Sequence, residues 1–243
     1  MPYQEHPSCD TPKDLTQKIW RYMDFTKFVS ILEESALYFS GLSELSEFDR
    51  FEGFLSTPTV QKFRTVPDGI NPQEAQRRIE VGEHNLGFQK WSRNLVYVSS
   101  WHMNEHESAA MWKLYLKSGE GVAIQSTIGK MIQSFQNTEE SVHIGMVEYI
   151  DYEKDEMPWD NVFSLAMFKR KSFAHEKELR AIIMEGGNGK SRYLKMELNN
   201  LIEKIYIAPS SPIWICNLIK KVIIKYGLNK EVVNSSLDQT PLY

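Results

Sequence analysis

The chain has 243 residues, is 42% apolar and 25% charged, and carries a formal net charge of −4. This composition excludes a disordered or fibrous chain, and the length supports one self-sufficient core without disulfide staples. The slight acidity excludes a dominant basic nucleic-acid footprint and leaves room only for a local basic groove.

Residues 1–14 are polar, carry Pro2, Pro7 and Pro12, and read as a loose lead-in to a single domain over residues 15–243. They show no basic n-region and no apolar h-region, and no run approaches the ~18 apolar residues of a membrane span. A cytoplasmic chain without a membrane partner is therefore expected. Cys9 and Cys216 form no spacing motif, which argues against a disulfide framework and a cysteine-based zinc site.

Lys18–Met23 reads as a strand. Thr26 reads as the cap of a helix with Phe28, Ile31 and Leu32 on one face, and Leu37–Ser40 as a second strand. Gly41, Gly53, Pro58, Pro67 and Gly69 punctuate an irregular stretch over residues 41–71. Pro72 opens a polar helix to about Leu86. Leu95–Trp101 is a strand, residues 105–117 an amphipathic helix stopped by Gly119 and Gly121, and residues 121–125 a strand. A helix over 127–136, a strand over 143–152 and a helix over 158–170 follow. Leu179–Met184 reads as a buried strand that turns at Gly186, Gly187, Asn188 and Gly189 into a hairpin partner over 191–196. A strand over 204–208, a helix over 212–226 and a strand over 231–234 complete the chain. The order lacks regular βαβ alternation. It predicts one α+β domain with a mixed, largely antiparallel sheet and flanking helices.

Several familiar motifs are missing. No GxGxxG follows a strand, and no GxSxG marks a nucleophile elbow. Residues 186–191 end in Gly-Lys-Ser, but Met184 stands where a P-loop needs its first glycine and a strand follows instead of a helix, so the run reads as a turn.

Four polar groups stand out. Arg21 and Tyr22 lie in an apolar strand, where an arginine needs either a salt-bridge partner or a cleft. Asp49 and Glu52 flank Arg50 and Phe51 ahead of Gly53; they are either a solvated turn or carboxylates sharing a cation such as Arg50 or Arg21. Ser99, Ser100, Trp101, His102 and Asn104 end the Leu95 strand ahead of Glu107, Ser108 and Trp112. Strand termini of this kind carry sites, and helix capping by Ser100 or Asn104 is the plainer reading. His102 and His106 straddle a turn, which argues against a metal pair. Finally, Glu176 and Glu178 stand two apart at the mouth of the buried strand. In an extended segment both would face one cleft, with a raised pKa or a shared cation. Lys177 and Arg180 are local candidates for that cation, and Lys169, Arg170 and Lys171 are candidates for holding phosphate.

Together these segments resemble a bacterial family of domains of unknown function. The residues that carry the resemblance are Trp20-Arg21-Tyr22, Leu37–Ser40, Asp49–Gly53, Ser100-Trp101 with Ser108 and Trp112, Gly119–Ile124, and Lys169, Phe173, Glu176, Glu178 and Arg180. The match runs over about residues 18–208. The family's Asn-Asp-Pro ahead of Phe-Glu is replaced here by Glu47-Phe48-Asp49-Arg50. The order of these elements is also similar, more distantly, to the ADP-ribosyltransferase superfamily with an Arg–Ser–Glu signature.

That second resemblance implies an NAD-dependent ADP-ribosyltransferase or NAD glycohydrolase, a toxin or phage-defence effector, with NAD as substrate. Arg21 would hold the pyrophosphate, and Ser99 or Ser100 would shape the nicotinamide pocket. Glu178 would bind the ribose and stabilise its developing positive charge, and Glu176 would guide a protein or nucleic-acid acceptor. Tyr22, Trp101 and Trp112 would stack the rings; aromatic residues are 12% of the chain, more than a single core usually needs. Two other readings stand beside it. One is a non-catalytic ligand-binding or sensor domain. The other is a metal-dependent nuclease using Asp49, Glu52, Glu107 and Glu176.

Overall fold

A computed structural model describes residues 2–47, 49–116, 119–187 and 189–243. Expectations that fall on Phe48, on Lys117 in the 105–117 helix and on Asn188 in the glycine turn lie outside those residues.

The first unit is strand β1 (Lys18–Asp24), helix α1 (Phe25–Glu34) and strand β2 (Ala36–Gly41). Asp24 caps α1 by accepting the Lys27 N–H at 2.8 Å, and Thr26, expected as the cap, donates its hydroxyl to Asp24 at 2.6 Å. The cap belongs one residue ahead of the helix, where its oxygen meets the open N–H groups. α1 buries Phe28, Ile31 and Leu32 and stops at Ser35 in the left-handed conformation, φ 46°.

The stretch expected to be irregular contains α2 (Leu42–Leu45) and α3 (Thr57–Arg64), followed by α4 (Pro72–Ser92). Pro58 lies in the first turn of α3. There a missing N–H costs nothing, so this proline starts a helix where the sequence reading took it as a breaker. α4 runs past Gly82 and Gly87. At Gly82 the two helices touch so closely that a Cβ would stand 2.1 Å from the Phe63 carbonyl oxygen.

The chain continues with β3 (Val96–Met103), α5 (Ala109–Tyr115), β4 (Gly121–Thr127), α6 (Ile128–Ser134), β5 (Val142–Met146) and β6 (Glu148–Ile150). Then come α7 (Ser164–Met167), β7 (Phe168–Arg170), β8 (Glu178–Met184), β9 (Arg192–Lys195), α8 (Leu198–Leu201), β10 (Lys204–Ile207), α9 (Ile213–Lys225) and β11 (Glu231–Asn234). α5 begins at Ala109 because Ser108 caps it through the Met111 N–H. The helix expected over 158–170 shrinks to α7, because residues 168–170 instead form a parallel ladder with β6.

Among the described residues nine strands share one sheet, in the order β11-β10-β4-β1-β3-β2-β9, with β8 on the other edge of β3 and β5 beyond it. All its pairings are antiparallel except β10 with β11. The domain is thus α+β with a mostly antiparallel sheet and flanking helices. The expected β8–β9 hairpin is replaced by pairing of β9 with β2.

Alternation divides the sheet residues between two faces. Ile19, Met23, Trp101, Ile124 and Ala181 join α1, α6, α8 and α9 in the main core, while Trp20, Tyr22 and Ala123 pack with α5 on the opposite face. The lead-in is tied down along β5. Gln4 N–H donates to the Val142 carbonyl, Val142 N–H to Pro2, and Met146 N–H to Asp10, at 3.0, 2.6 and 2.9 Å, and Cys9 is buried. A sheet edge offers free backbone partners, and these polar residues supply them.

Candidate functional site

β3 is paired along its whole length on one side only. There β8 matches residues 96–102, with Ser100 opposite Arg180 and His102 opposite Glu178. On the other side β1 pairs at Ile19–Met103 and Trp20–His102, while β2 pairs at Ser40–Val98 and Gly41–Tyr97. β1 and β2 therefore diverge beside residues 99–101 and leave a gap in the sheet.

The Arg21 side chain occupies that gap. One guanidinium nitrogen donates to Ser99 Oγ at 2.7 Å and the other to the Tyr38 carbonyl at 2.9 Å. Trp101 Nε1 also reaches Ser99 Oγ, at 3.3 Å, and the Trp101 ring lies 5.9 Å from the guanidinium carbon. Among the described residues no carboxylate pairs with Arg21. Burial pushes its pKa down to about 10, and the ionisable groups acting on it are the phenols of Tyr115, Tyr38 and Tyr193. Tyr38 and Tyr193 pack edge to face at 5.3 Å, and Tyr115 is 44% exposed.

A second assembly lies at the start of β8. Glu178 is buried. Its Oε1 accepts from Lys169 Nζ at 2.6 Å and its Oε2 from Arg180 Nε at 2.7 Å. Lys169 also donates to Glu176 at 2.5 Å, and Glu52 stands 3.7 Å from Lys169 and accepts from Arg180. Arg180 further donates to the Ala166 carbonyl at 2.7 Å. The β6–β7 pair delivers this cluster, since Tyr149 and Lys169 are opposite each other and the Glu178 N–H donates to the Tyr149 hydroxyl at 2.8 Å.

Three carboxyl groups here face two cations, so full ionisation would leave one net negative charge. Burial, then the hydrogen bond and charge of Glu178, push Glu176 up to about 7. Burial also works to raise Glu178, but Arg180 and Lys169 outweigh it and hold that carboxylate well below its ordinary range. One proton on Glu176 balances the cluster.

Glu176 and Glu178 do meet at one cation, but by a different route from the one expected. Glu176 ends a 3-10 turn (Lys171–Glu176), and Lys177, in the left-handed conformation at φ 41°, turns the chain so that both carboxyl groups reach Lys169. Lys177 is not the cation they share.

The neighbouring loop is not solvated. Asp49 is buried and holds Arg170 at 2.6 Å, and Arg170 stacks between Phe51 and Phe173 at 4.7 and 5.4 Å. Its partners are Arg170 and Arg180, in place of the expected Arg50 or Arg21. Lys169, Arg170 and Lys171 are all engaged by carboxylates, Lys171 by Asp155 at 3.0 Å, so the expected phosphate-holding role passes from them.

The expected aromatic wall is also placed differently. Trp101, Trp112 and Tyr22 are 1%, 2% and 5% exposed. The Tyr22 hydroxyl accepts from the Ser108 N–H at 2.7 Å, and Trp112 Nε1 donates to Glu107 at 2.9 Å. Tyr22 fills the interior because α5 covers its strand through Met111 and Trp112, and Trp101 because its strand faces the main core. Ser99 is buried and Ser100 half-buried at the gap. His102 Nδ1 donates to the Glu176 carbonyl at 2.6 Å and His106 is exposed, so the two histidines do not form a pair.

Of the carboxylates considered for a metal, Glu52 and Glu176 meet at Lys169, Asp49 holds Arg170, and Glu107 is saturated by Trp112, Ser235 and Ser236. Among the described residues no group of three or more His, Cys, Asp or Glu side chains has metal-holding geometry.

No family model and no curated protein matches the chain. Solved structures similar to it include two of Thermus sp. 2.9 DarT. Thermus sp. 2.9 DarT in complex with ADP-ribosylated ssDNA aligns with a TM-score of 0.46 and 9% identity, covering 94% of this chain and 97% of that one. Thermus sp. 2.9 DarT in complex with NAD+ aligns with a TM-score of 0.42 and 9% identity, covering 95% and 100%.

Sequence reasoning missed the three tyrosines around Arg21. Tyr38 carried a signal, since its polar-tipped ring stands between the apolar Leu37 and Phe39 in the strand, and the structure leaves it half-buried where those two are buried. Tyr193 carried none, because β9 reaches β2 only through the fold. Tyr115 acts electrostatically on Arg21 and is itself acted on by Glu178 and Glu176.

Proposed function

We propose that the chain binds NAD in the β1–β2 gap and cleaves its nicotinamide–ribose bond, as an ADP-ribosyltransferase or NAD glycohydrolase. The observation that carries this reading is Arg21: a half-buried guanidinium in a gap of the sheet that, among the described residues, is hydrogen-bonded only to Ser99 and a carbonyl and pairs with no carboxylate. A diphosphate supplies the missing charge in the fork geometry a guanidinium prefers. Tyr38, Tyr115 and Tyr193 supply ring faces beside it, the role expected of Tyr22, Trp101 and Trp112. Ser99 and Ser100 border the nicotinamide end.

The chemistry follows from the acid cluster. When the glycosidic bond breaks, its electron pair leaves with nicotinamide and positive charge develops on the ribose. Glu178, kept ionised by Lys169 and Arg180, stabilises that charge. A nucleophile then adds to the ribose carbon, and its proton passes to Glu176, whose pKa near 7 suits a base at neutral pH. The nucleophile is water, a protein side chain or a nucleic-acid base; such NAD consumption would serve a toxin or phage-defence effector.

One observation favours the non-catalytic reading: both Glu178 oxygens are already held in ion pairs. Incubation with NAD labelled in the nicotinamide ring decides between them. Release of nicotinamide by the wild-type chain, lost in Glu178→Gln while the fold is retained, supports catalysis. Binding without release, with water, protein and nucleic acid each offered as acceptor, supports a sensor.

A further inference from the structure

The turn that carries Glu176 has no core of its own. None of its residues, Lys171–Glu176, is buried, and Lys177 closes it in the left-handed conformation at φ 41°. A residue other than glycine keeps that conformation only where its surroundings hold it.

The end of β3 supplies the hold. His102 Nδ1 donates to the Glu176 carbonyl at 2.6 Å, and the Met103 N–H donates to the Lys177 carbonyl at 2.9 Å. Two consecutive strand residues thus grip two consecutive turn residues. The strand is itself fixed at this point, because His102 is paired with Trp20 of β1 on one side and with Glu178 of β8 on the other. Of the two grips, only that of His102 is made by a side chain.

The ring is committed to this bond. A carbonyl oxygen accepts, so Nδ1 carries the proton. His102 is 4% exposed, and among the described residues its Nε2 has no hydrogen-bond partner. A second proton there would bury an N–H and a charge with nothing to receive either. Burial pushes the pKa of His102 down, and the charges of Lys177 and His175 push the same way, against the bond to Glu176. The ring therefore stays neutral at neutral pH.

We propose that His102 is a positioning residue: through the Glu176 carbonyl it holds the Glu176 carboxyl at Lys169 and beside Glu178. Its part in turnover rests on the reading of Glu176 as the base in NAD cleavage, and its effect on the carboxyl does not. The charged and titratable groups that interact with Glu176 are Lys169 of β7, Glu178 of β8 and Tyr115 of α5, with Glu52 and Arg180 in the same cluster. A neutral imidazole adds no charge to this set. A change in the titration of Glu176 when the ring is removed thus reports a moved carboxyl, not a lost charge.

Carbon NMR of labelled glutamate side chains tests this on the full chain, in wild type, His102→Leu, His102→Phe and His102→Asn. Asparagine places an amide N–H where Nδ1 stands, whereas leucine and phenylalanine offer no donor. The Glu176 midpoint should lie at about 7 in wild type, fall towards 4.5 in the two donor-free variants and return in His102→Asn. Nitrogen NMR of labelled histidine in the wild-type chain should show the ring proton on Nδ1 alone at neutral pH. With NAD as substrate, His102→Leu should lower kcat roughly ten- to a hundredfold and leave KM unchanged, and His102→Asn should recover most of the loss.

A purely structural His102 would lower the melting temperature and leave the Glu176 midpoint in place, which would overturn the proposal. A wild-type midpoint already at 4.5, equal midpoints in His102→Leu and His102→Asn, or a ring proton on Nε2 would overturn it as well. A wild-type chain that releases no nicotinamide would overturn the NAD reading alone, since the titration still decides what places Glu176. An active chain whose kcat survives His102→Leu would overturn the part of His102 in turnover.

Discussion

Arg21 and Ser99, 78 residues apart in the chain, meet at 2.7 Å across a gap where two strands part from a third. The guanidinium is half-buried, and among the described residues no carboxylate shares its charge. A partly desolvated cation left in that state is costly unless a ligand completes it.

Removal of Arg21 therefore acts on binding more than on folding. Arg21→Ala should weaken NAD binding by about 1.5–3 kcal/mol, roughly ten- to a hundredfold, as measured by titration calorimetry. The melting temperature should change little, since an uncompensated charge is lost along with two hydrogen bonds. Arg21→Lys keeps the charge without the fork and should fall between the two. Equal NAD affinity in all three proteins would remove Arg21 from the site.

Lys169 behaves in the opposite way. It is buried among Glu52, Glu176 and Glu178, and its ammonium also lies 4.7 Å from the Phe173 ring. Lys169→Met leaves three carboxyl groups, those of Glu52 and Glu178 buried, against one cation. The expected loss is about 3–5 kcal/mol in urea unfolding at neutral pH. Lys169→Met combined with Glu178→Gln should recover part of it, because the imbalance is smaller.

Glu176 sets a pH dependence whose sign is fixed by its shift. Its folded-state pKa is raised from 4.5 to about 7. Between those values the folded chain keeps a proton that the unfolded chain gives up, so this contribution is full below pH 4.5 and is lost as pH rises towards 7. Glu178, held low, contributes above 4.5 and loses its contribution as pH falls. Glu176→Gln, which keeps a hydrogen-bond donor towards Glu178, should flatten the decline between pH 4.5 and 7 in melting curves. An unchanged slope would show that Glu176 titrates normally.

Gly53 places the Asp49–Glu52 loop against the sheet. It adopts φ 76°, and a Cβ there would stand 2.9 Å from Arg93 Nε and 3.0 Å from Leu42 Cγ. Gly53→Ala should destabilise the chain by about 1–3 kcal/mol by thermal unfolding. A variant as stable as wild type would show that the loop re-forms without cost.

Much of the cluster was legible as separate pieces. Asp49 and Glu52 stood out in one loop, and Lys169, Glu176, Glu178 and Arg180 in another, because charged groups beside aromatic and apolar residues are unusual. Their union was not legible. Glu52 and Arg180 are 128 residues apart, and only the β3–β8 register and the β6–β7 pair bring them together. The aromatic residues misled for a related reason. Tyr22 and Trp101 alternate along strands covered on both faces, and Trp112 sits on the helix that supplies one cover; sequence shows the pattern without showing the cover. Pro58 misled because a proline that starts α3 looks the same as one that ends a helix.

A structure of the chain with NAD bound decides whether Arg21 anchors the dinucleotide. The diphosphate oxygens should lie within hydrogen-bond distance of the Arg21 guanidinium, a nucleotide ring on Tyr38, Tyr115 or Tyr193, and the nicotinamide ribose should face Glu178. NAD bound elsewhere on the chain, or a gap in which Arg21 stays bonded only to Ser99 and Tyr38 at saturating NAD, would contradict it.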